Sequence, residues 1–369
     1  MRFTLTLCAL AAALVACSHT ANSSAATAPH GTLLGETELP NFALNATAYK
    51  IRYASRALNG APIVETGLAV VPNGAGRDRV VLAYAHGTTG LADACAPSAH
   101  PDDSEVHAID LTAVSFGWIV AAADYEGLGT PGRHPYLVGR SEGRAVLDAA
   151  LAARQLPAAH AGARTLIAGY SQGGHAALWA NQLAATWAPA LRVVGTFAGA
   201  PATEIDRILA AGRTADAQQY ILAIVAGYVA AYPHAQPGRY LTPAGLRLIP
   251  SVDRECLGGL DRTVRGVTPQ DLVTPGGPTD PQWQAYGRAN NPGATKGESP
   301  VLIVHSDQDD VVPVQLSAIL HDRMCAIGQV VERRVIHAGG HTQAAFAATL
   351  DAIGWFQQRL RGEPAKDDC

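Results

Sequence analysis

Four short, nearly continuous apolar runs constrain the fold of this chain. Each of them ends in small or polar residues, and in order they read RVVLAYAH, WIVAAADY, TLIAGYS and LRVVGTFAGAP. Runs of this kind are typical of parallel strands buried on both faces of a sheet. The intervening segments SEGRAVLDAALAARQL and GHAALWANQLAATWA carry apolar residues at helical spacing. Because parallel strands need crossover connections, the alternation predicts an α/β fold with helices on both sheet faces.

Four further strands bring the predicted sheet to eight. TAYKIRYAS and PIVETGLAVVP alternate like half-exposed antiparallel strands, whereas PVLIVHS and VVERRVIHAG are each followed by a helical pattern. We therefore predict a mostly parallel, eight-stranded sheet. The chain has 369 residues, of which 48% are hydrophobic, so one large α/β domain and two domains both remain open.

A long insert interrupts this alternation over residues 203–299. It begins with the helical patterns TEIDRILAAG and AQQYILAIVAGYVAAYP and ends in a segment rich in proline and glycine. The apolar run Tyr220–Tyr232 is too short to span a bilayer. Structureless loops of such length are uncommon. We therefore expect a helical cap, or lid, over a core formed by residues 35–202 and 300–361.

The N-terminus predicts export from the cytoplasm. Arg2 precedes the short apolar run LTLCALAAALVA, which ends in LVAC, a stretch that resembles a bacterial lipobox. We interpret residues 1–17 as a lipoprotein-type signal peptide, with lipidated Cys17 attaching the protein to a membrane of the cell envelope (outer membrane or periplasmic side). Cleavage of an ordinary secretory signal and release is the alternative. Residues 18–34 are expected to be a flexible tether, and residues 362–369 a C-terminal tail.

Cysteine content and net charge bear on disulfides, metal sites and nucleic-acid binding. The mature part holds Cys95, Cys256, Cys325 and Cys369, and an even number in an oxidising compartment predicts two disulfides with three possible pairings. Their spacing is not that of a zinc site and no H-E-x-x-H occurs, so no metal is expected. The formal net charge is −4 without a basic stripe, which gives no indication of nucleic-acid binding.

The motif GYSQG, residues 169–173, indicates a nucleophilic serine. The pattern G-x-S-x-G alone is weak, but here an apolar strand leads into it and a helix follows. That is the strand–turn–helix in which flanking glycines allow a serine to project from a sharp, strained turn. The alternative is a serine that merely caps the helix. Ser171 is therefore the candidate nucleophile.

A serine nucleophile needs a base and an acid, which follow in the expected order. The stretch DQDDVVP after the strand PVLIVHS offers Asp307, Asp309 and Asp310. The stretch HAGGHT after the last strand offers His337 and His341, of which His341 is favoured because it lies in the glycine-flanked loop before the final helix. The position of the acids after their strand does not by itself decide among the three.

Two backbone N–H groups should stabilise the oxyanion. One belongs to Gln172, directly after the serine, and the other to Thr88 in the loop HGTTG that follows RVVLAYAH. Gly87 would allow the backbone to approach the substrate closely. An ordinary glycine-rich turn is the alternative for this loop.

The stretch DYEGLGTPGRHPYL contains G-x-G-x-x-G after a predicted strand, a pattern typical of dinucleotide binding. A Rossmann loop needs a helix to begin within the glycines, yet Pro131 and Pro135 bracket this region and the helical pattern begins only near Ser141. We therefore expect no cofactor. The stretch should instead border the substrate pocket, with Asp124 and Glu126 in structural roles.

Taken together, these motifs resemble those of the secretory lipase family of α/β-hydrolases, which includes the fungal lipase A type. The resemblance covers roughly residues 35 to 360 and rests on motifs in the family's order: HGTTG…CAPS, DYEGLGTPGRHPYLVG, GYSQGG, DQDDVVP and GGHT. It implies the α/β-hydrolase fold, a helical cap between the sixth and seventh strands, and hydrolysis of acylglycerols or short-to-medium acyl esters.

The family resemblance also implies individual residue roles. It assigns a triad of Ser171, His341 and Asp309, because the family's acid lies four residues before the proline of a stretch such as DDVVP. It pairs Cys95 with Cys256 and leaves Cys325 for Cys369. The apolar helix over residues 219–232 should line the acyl site, and the residues expected in the substrate pocket are Gly87, Tyr125, Tyr170, Ile221 and Ile224.

Two other functions are compatible with these motifs. A hydrolase of the same fold can act on peptides or other acyl bonds, because triad chemistry is acyl transfer in general. A catalytically inactive member of the fold can serve as a binding lipoprotein. Since every triad position is filled, we favour a serine ester hydrolase that acts on an ester or lipid substrate.

Overall fold

One sheet of nine strands forms the centre of the protein. The computed structural model describes residues 27–43, 45–103, 109 and 112–369, so the stretch that ends at Cys17 lies outside the described residues. The strands are β1 Leu33–Ala43, β2 Ala46–Arg56, β3 Pro62–Pro72, β4 Arg79–Ala85, β5 Ile119–Ala123, β6 Ala161–Tyr170, β7 Arg192–Gly199, β8 Val301–Ser306 and β9 Val331–Ile336. Their order in the sheet is β1-β2-β3-β5-β4-β6-β7-β8-β9.

The sheet is parallel from β5 to its far edge and antiparallel among the first three strands. β4 pairs in parallel with both β5 and β6, and β7, β8 and β9 continue in the same direction. β3 joins the two parts through an antiparallel pairing with β5. The carboxyl ends of β4, β6, β8 and β9 therefore lie at one edge, where the loops that follow them can meet.

The predicted count of eight strands is wrong by one, because β1 was not anticipated. β1 is the edge strand, and its sequence LLGETELPNFA mixes polar residues and Pro40 in a way that does not give a clear alternation. Such residues are tolerated at an edge, where one side of the backbone is free of a partner strand. The numbering of every later strand is consequently shifted by one.

The boundary of the predicted tether also requires correction. Residues 33 and 34 already belong to β1, and the N–H of Gly31 donates to the carbonyl oxygen of Ala54 at 2.7 Å. The ring of His30 stacks on Trp187 with ring centroids 4.1 Å apart. The end of this segment is therefore packed on the core, which composition alone does not reveal.

Helices cover both faces of the sheet. They are α1 Gly139–Ala153, α2 Gln172–Trp187, α3 Ile205–Ala210, α4 Gln218–Ala231, α5 Pro243–Leu248, α6 Leu257–Thr263, α7 Pro269–Leu272, α8 Pro281–Ala289, α9 Val314–Ala326 and α10 His341–Leu360. Within the described ranges, no helix is both long and apolar enough to cross a lipid bilayer.

Alternation along the buried strands produces two separate core layers. In β4, Val81 and Ala83 face the alanine-rich surfaces of α1 and α2, whereas Leu82 and Tyr84 face α10. Helices α1 and α2 approach closely, since a Cβ on Gly143 would lie 2.9 Å from the backbone nitrogen of Ala180. This packing holds α2, whose first residue directly follows Ser171.

The insert between β7 and β8 contains α3 to α8 and has an apolar core of its own. Trp283, Tyr240 and the buried side of α4 lie in this core, which also includes Tyr136 and Leu137 from the sheet part. The insert begins after β7 and ends before β8.

Candidate active site

Ser171 lies in a strained turn between β6 and α2. Its backbone has φ 58° and ψ −119°, a conformation that L-residues rarely adopt. A Cβ on Gly169 would lie 2.1 Å from the carbonyl oxygen of Gly173, and one on Gly173 would lie 2.0 Å from that of Ala85. The glycines of the motif are thus required by close backbone contacts, and such strain persists only where the surrounding structure enforces it.

His341 and Asp309 form a hydrogen-bonded pair at the same sheet edge. His341 is the first residue of α10, and its Nδ1 lies 2.6 Å from Oδ2 of Asp309. The hydroxyl of Tyr170 donates to the carbonyl oxygen of His341 at 2.7 Å. His341 and Ser171 line one cavity. The structure therefore brings together the three residues that were predicted as a triad.

The carboxylate of Asp309 is buried and surrounded by donors. Oδ1 accepts from the backbone N–H groups of Val311 and Val312 at 2.9 and 2.7 Å, and Oδ2 also lies 3.2 Å from Nε2 of His305. Burial raises the pKa of Asp309, but the hydrogen bonds from His305, His341 and Val312 outweigh it and hold the pKa below the ordinary range. The stabilisation from this ionised group is lost only as the pH falls through that lowered pKa.

The other two acids of DQDDVVP are placed differently. Asp307 is exposed and its Oδ1 lies 3.0 Å from Nδ1 of His337, which is also exposed. Oδ1 of Asp310 accepts from the backbone N–H of His341 at 2.8 Å and does not meet its ring. Of the three acids, Asp309 is therefore the one in contact with the imidazole of His341.

The two residues expected to supply oxyanion N–H groups, Gln172 and Thr88, both lie near Ser171. Gln172 is the first residue of α2, and the first N–H groups of a helix have no partner within it. Thr88 lies in the loop after β4 and lines the cavity that contains Ser171 and His341, together with Gly87. The hydroxyl of Thr88 lies 2.7 Å from that of Tyr136, which fixes the loop.

Two cavities meet at Ser171. The first, of about 200 Å³, is predominantly apolar and is lined by Leu137, Ala202, Tyr220, Ile221, Ile224 and Val312, among others. The second, of about 270 Å³, is lined by Thr88, Tyr170, Tyr220, Leu257, His341 and Thr342, among others. The arrangement offers separate spaces for an acyl chain and for the other substituent of a carbonyl group bound at Ser171.

The predicted pocket residues fall into three groups. Ile221 and Ile224 line the apolar cavity, while Gly87 and Tyr170 line the second one. Tyr125 is a correction, because it is fully buried and lines neither cavity. Its hydroxyl donates to the carbonyl oxygen of His86 at 2.9 Å, so it supports the loop before Thr88 from behind.

The glycine-rich stretch after β5 forms part of the scaffold and part of the pocket wall. Asp124 is fully buried and accepts from the N–H of Ser98 at 2.9 Å and from the hydroxyl of Thr66 at 2.7 Å. Further along, Tyr136 and Leu137 line the apolar cavity. Asp124 is therefore held by hydrogen bonds within the fold, and the end of the stretch forms part of the cavity wall.

Two disulfides join parts of the chain that surround the site. Cys95 is bonded to Cys256, 161 residues apart, and thus links the loop after β4 to the cap. The N–H of Leu257 donates to the carbonyl oxygen of Thr89 at 2.8 Å beside this bridge. Cys325 is bonded to Cys369 and holds the C-terminal residues against the edge of the sheet.

Two residues near the site were not singled out from the sequence. Tyr220 lines both cavities, and its position in the apolar helix of the cap could have indicated this. His305 is a polar residue at the end of the buried strand β8, and its contact with Asp309 depends on the turn that follows. The available signal in the sequence was an ionisable residue, His305, directly after four apolar residues of a buried strand.

Comparison with known sequences gives consistent matches. A family model described as secretory lipase matches residues 105–260 and 290–368, which is more than half of the chain. A secreted triacylglycerol lipase of Malassezia globosa is 25% identical over 353 residues, covering 87% of this chain and 73% of that protein.

Solved structures share the fold. Lipase A of Candida antarctica in its closed state has a TM-score of 0.80 at 20% identity, over 94% of this chain and 86% of that chain. A rice cell wall degrading esterase from Xanthomonas oryzae has a TM-score of 0.74 at 20% identity, over 91% and 100% of the two chains. The predicted α/β-hydrolase fold is confirmed.

Proposed function

Because the chain belongs to the secretory lipase family, we propose that it is a serine ester hydrolase that cleaves acylglycerols or short-to-medium acyl esters through Ser171, His341 and Asp309. The observation that carries this proposal is the 2.6 Å contact between His341 Nδ1 and Asp309 Oδ2, beside a serine held in a nucleophile turn. Within the family, the relative from Malassezia globosa is named for triacylglycerols, which supports an acylglycerol substrate.

The proposed reaction proceeds through an acyl-enzyme. Nε2 of His341 takes the proton of the Ser171 hydroxyl as Oγ bonds to the ester carbonyl carbon, and the carbonyl oxygen becomes an oxyanion held by the N–H groups of Gln172 and Thr88. The imidazolium then protonates the departing alcohol as the C–O bond breaks. A water molecule, deprotonated by His341, repeats the sequence and releases the carboxylic acid.

Asp309 has an orienting role in this scheme. Its carboxylate accepts the Nδ1–H of His341, which leaves Nε2 free to accept the serine proton. The carboxylate also stabilises the imidazolium that forms. The donors around Asp309 and its lowered pKa keep it ionised for this purpose.

The apolar cavity is proposed to bind the acyl chain and the second cavity the alcohol. Aliphatic side chains of the cap and of the segment after Asp309 line the first space, where burial of each methylene group gains about 0.8 kcal/mol. The volume of this cavity, about 200 Å³, favours acyl chains of limited length. This lining also favours esters over peptides, since a peptide substrate needs polar partners for its backbone.

A series of p-nitrophenyl esters tests the proposed function. We expect hydrolysis of short and medium acyl esters with saturation kinetics, and labelling of Ser171 by a fluorophosphonate probe in the folded protein. Parallel assays with emulsified triglyceride distinguish lipase from esterase behaviour. Folded protein without ester hydrolysis and without labelling would contradict the proposal and favour a binding protein of the same fold.

Variants of α4 test the assignment of the acyl cavity. Ile224→Thr places a hydroxyl in the cavity and should lower kcat/KM for a laurate ester relative to a butyrate ester by about three- to tenfold, because a buried unpaired hydroxyl disfavours long acyl chains. Val225→Thr is the matched control, since Val225 is buried in the same helix and does not line the cavity. Equal acyl profiles for both variants would refute the assignment.

Export to an oxidising compartment is supported by the two disulfides and by the relative from Malassezia globosa, which is named as a secreted lipase. We further propose a lipid anchor on Cys17, which rests on the LVAC stretch alone. The relative from Malassezia globosa, which is named as secreted, lends it no support. Mass spectrometry of the mature N-terminus decides between a lipidated Cys17 and ordinary cleavage.

A further inference from the structure

A buried polar network lies behind Ser171, away from the two cavities. Its members are at most 3% exposed and come from four parts of the chain: His134, Glu142, Gln172, His175 and Asn290. None of them belongs to the proposed triad. One member, Gln172, also supplies a proposed oxyanion N–H through its backbone, so the network reaches the site through that residue.

Glu142 is the centre of the network. Its Oε1 accepts from the backbone N–H of Leu137 at 2.9 Å and from Nε2 of Gln172 at 2.8 Å, and its Oε2 lies 2.6 Å from Nδ1 of His175. Burial raises the pKa of Glu142, but the interactions with His175, His134 and Gln172 outweigh it and hold the pKa below its usual value. Glu142 is therefore a carboxylate inside the protein.

The side-chain amide nitrogen of Gln172 lies within hydrogen-bond distance of two acceptors. One N–H donates to Oε1 of Glu142, and Nε2 of His134 lies 2.8 Å from the same nitrogen. Burial lowers the pKa of His134 to about 4, so its ring is neutral, and the Nδ1 contact of 2.9 Å to the carbonyl oxygen of Glu126 places its proton on Nδ1. Nε2 of His134 is then the acceptor for the second N–H of Gln172.

His175 connects this arrangement to the cap. Its Nδ1 faces the Glu142 carboxylate, and its Nε2 lies 2.8 Å from the carbonyl oxygen of Asn290. Both partners are acceptors, so both ring nitrogens donate and the ring forms an ion pair with Glu142. The side chain of Asn290 accepts from the N–H of Gly139 at 3.1 Å and donates to the hydroxyl of Tyr232 at 2.7 Å.

We propose that Glu142 and His175 are positioning residues of the oxyanion hole. They fix the side chain of Gln172, and thereby the direction in which its backbone N–H points at the oxyanion. The inference rests on the proposed function, because it requires an ester carbonyl to bind at Ser171. It adds that the oxyanion hole is held by a buried hydrogen-bonded pair, Glu142 and His175, which also contacts the cap through Asn290.

The turn at Ser171 explains why the backbone N–H of Gln172 needs side-chain contacts to hold its direction. An oxyanion donor acts only when it is aligned to within about 0.5 Å of the productive geometry. Gln172 follows a residue in a strained conformation, which the surroundings must enforce. A buried ion pair is weak evidence for a stabilising role, since a well-packed apolar set often stabilises equally well. Hydrogen bonds do supply direction, which apolar contacts lack.

Two variants test this proposal. Glu142→Met and Gln172→Met keep the side-chain length but remove the hydrogen bond between Gln172 and Glu142. Gln172→Met retains the backbone N–H. For both we expect kcat for a p-nitrophenyl ester to fall by about 10- to 100-fold with KM nearly unchanged, somewhat less than the loss of a whole oxyanion donor. Affinity for an alkyl boronic acid, whose tetrahedral adduct on Ser171 places an oxygen in the oxyanion hole, should fall in parallel.

Glu142→Gln is the conservative control. Its carbonyl oxygen can accept from Leu137 and Gln172, while its amide donates to a neutral His175 that keeps a proton on Nε2 for Asn290. We therefore expect kcat and boronic acid affinity within about threefold of the wild type. In the Gln172→Met background, Glu142→Met should cost little further kcat, because the two residues act by one route.

The outcomes separate a positioning role from a structural one. A fall in melting temperature for Gln172→Met and Glu142→Met, with kcat and boronic acid affinity retained, would overturn the proposal. If Glu142→Met does not fold, the result for Gln172→Met decides alone, because that variant leaves the ion pair in place. Loss of ester hydrolysis and of Ser171 labelling in the wild type would instead remove the proposed function itself.

Discussion

Replacing Ser171 with alanine is expected to abolish hydrolysis of p-nitrophenyl esters, with a fall in kcat of about 10⁴-fold or more. The variant lacks the only atom that can form the acyl-enzyme. Its fold should be unaffected, because alanine keeps the Cβ and therefore leaves the strain at φ 58° as it is. Steady-state kinetics and a thermal melt measure the two effects, and the melting temperature should stay within about 2 °C of wild type.

Two matched variants make this experiment decisive. Ser317→Ala removes another buried serine, in α9, and should leave kcat unchanged. Ser171→Gly should also be inactive, yet melt no lower than Ser171→Ala, because glycine tolerates the positive φ of this turn. Retained turnover by purified Ser171→Ala would refute the nucleophile assignment, as would fluorophosphonate labelling of Ser317 in place of Ser171.

The family and the central part of the fold were predictable because their signals are local. Buried strands such as β4 and β6 are short apolar runs, and the turn at Ser171 needs glycines at fixed positions for steric reasons. The family prediction is confirmed by the match of the secretory lipase model. Both kinds of signal can be read from a single sequence, because each depends on residues only a few positions apart.

The features that were missed depend on distant parts of the chain. β1 is an edge strand with mixed polarity, and only its pairing with β2 gives it regular structure. Tyr125 follows a predicted strand as a pocket residue would, yet its ring packs against His86 and His134. Glu142 occupies an ordinary helical position in the sequence, and only the packing of α1 on α2 brings it to His175. Tertiary contacts decided each of these cases.

Asp309→Asn is expected to lower kcat by about 10⁴-fold with a smaller change in KM. The amide can still accept the N–H groups of Val311 and Val312 through its oxygen, so the loop should keep its structure. Its NH₂ group would then face Nδ1 of His341, which must accept instead of donate. The proton of His341 moves to Nε2, and the imidazole can no longer take the proton of Ser171.

The neighbouring acids provide the controls for this choice. Asp307→Asn should leave kcat within about twofold of wild type, because Asp307 is exposed and its carboxylate pairs with the exposed His337. Asp310→Asn retains an oxygen that can accept the backbone N–H of His341 and should have an effect between the other two. Of the three acids, only Asp309 contacts the His341 ring. The assignment therefore requires Asp309→Asn to lower kcat more than Asp310→Asn and Asp307→Asn do. If Asp307→Asn proves the most damaging of the three, the acid has been assigned to the wrong residue.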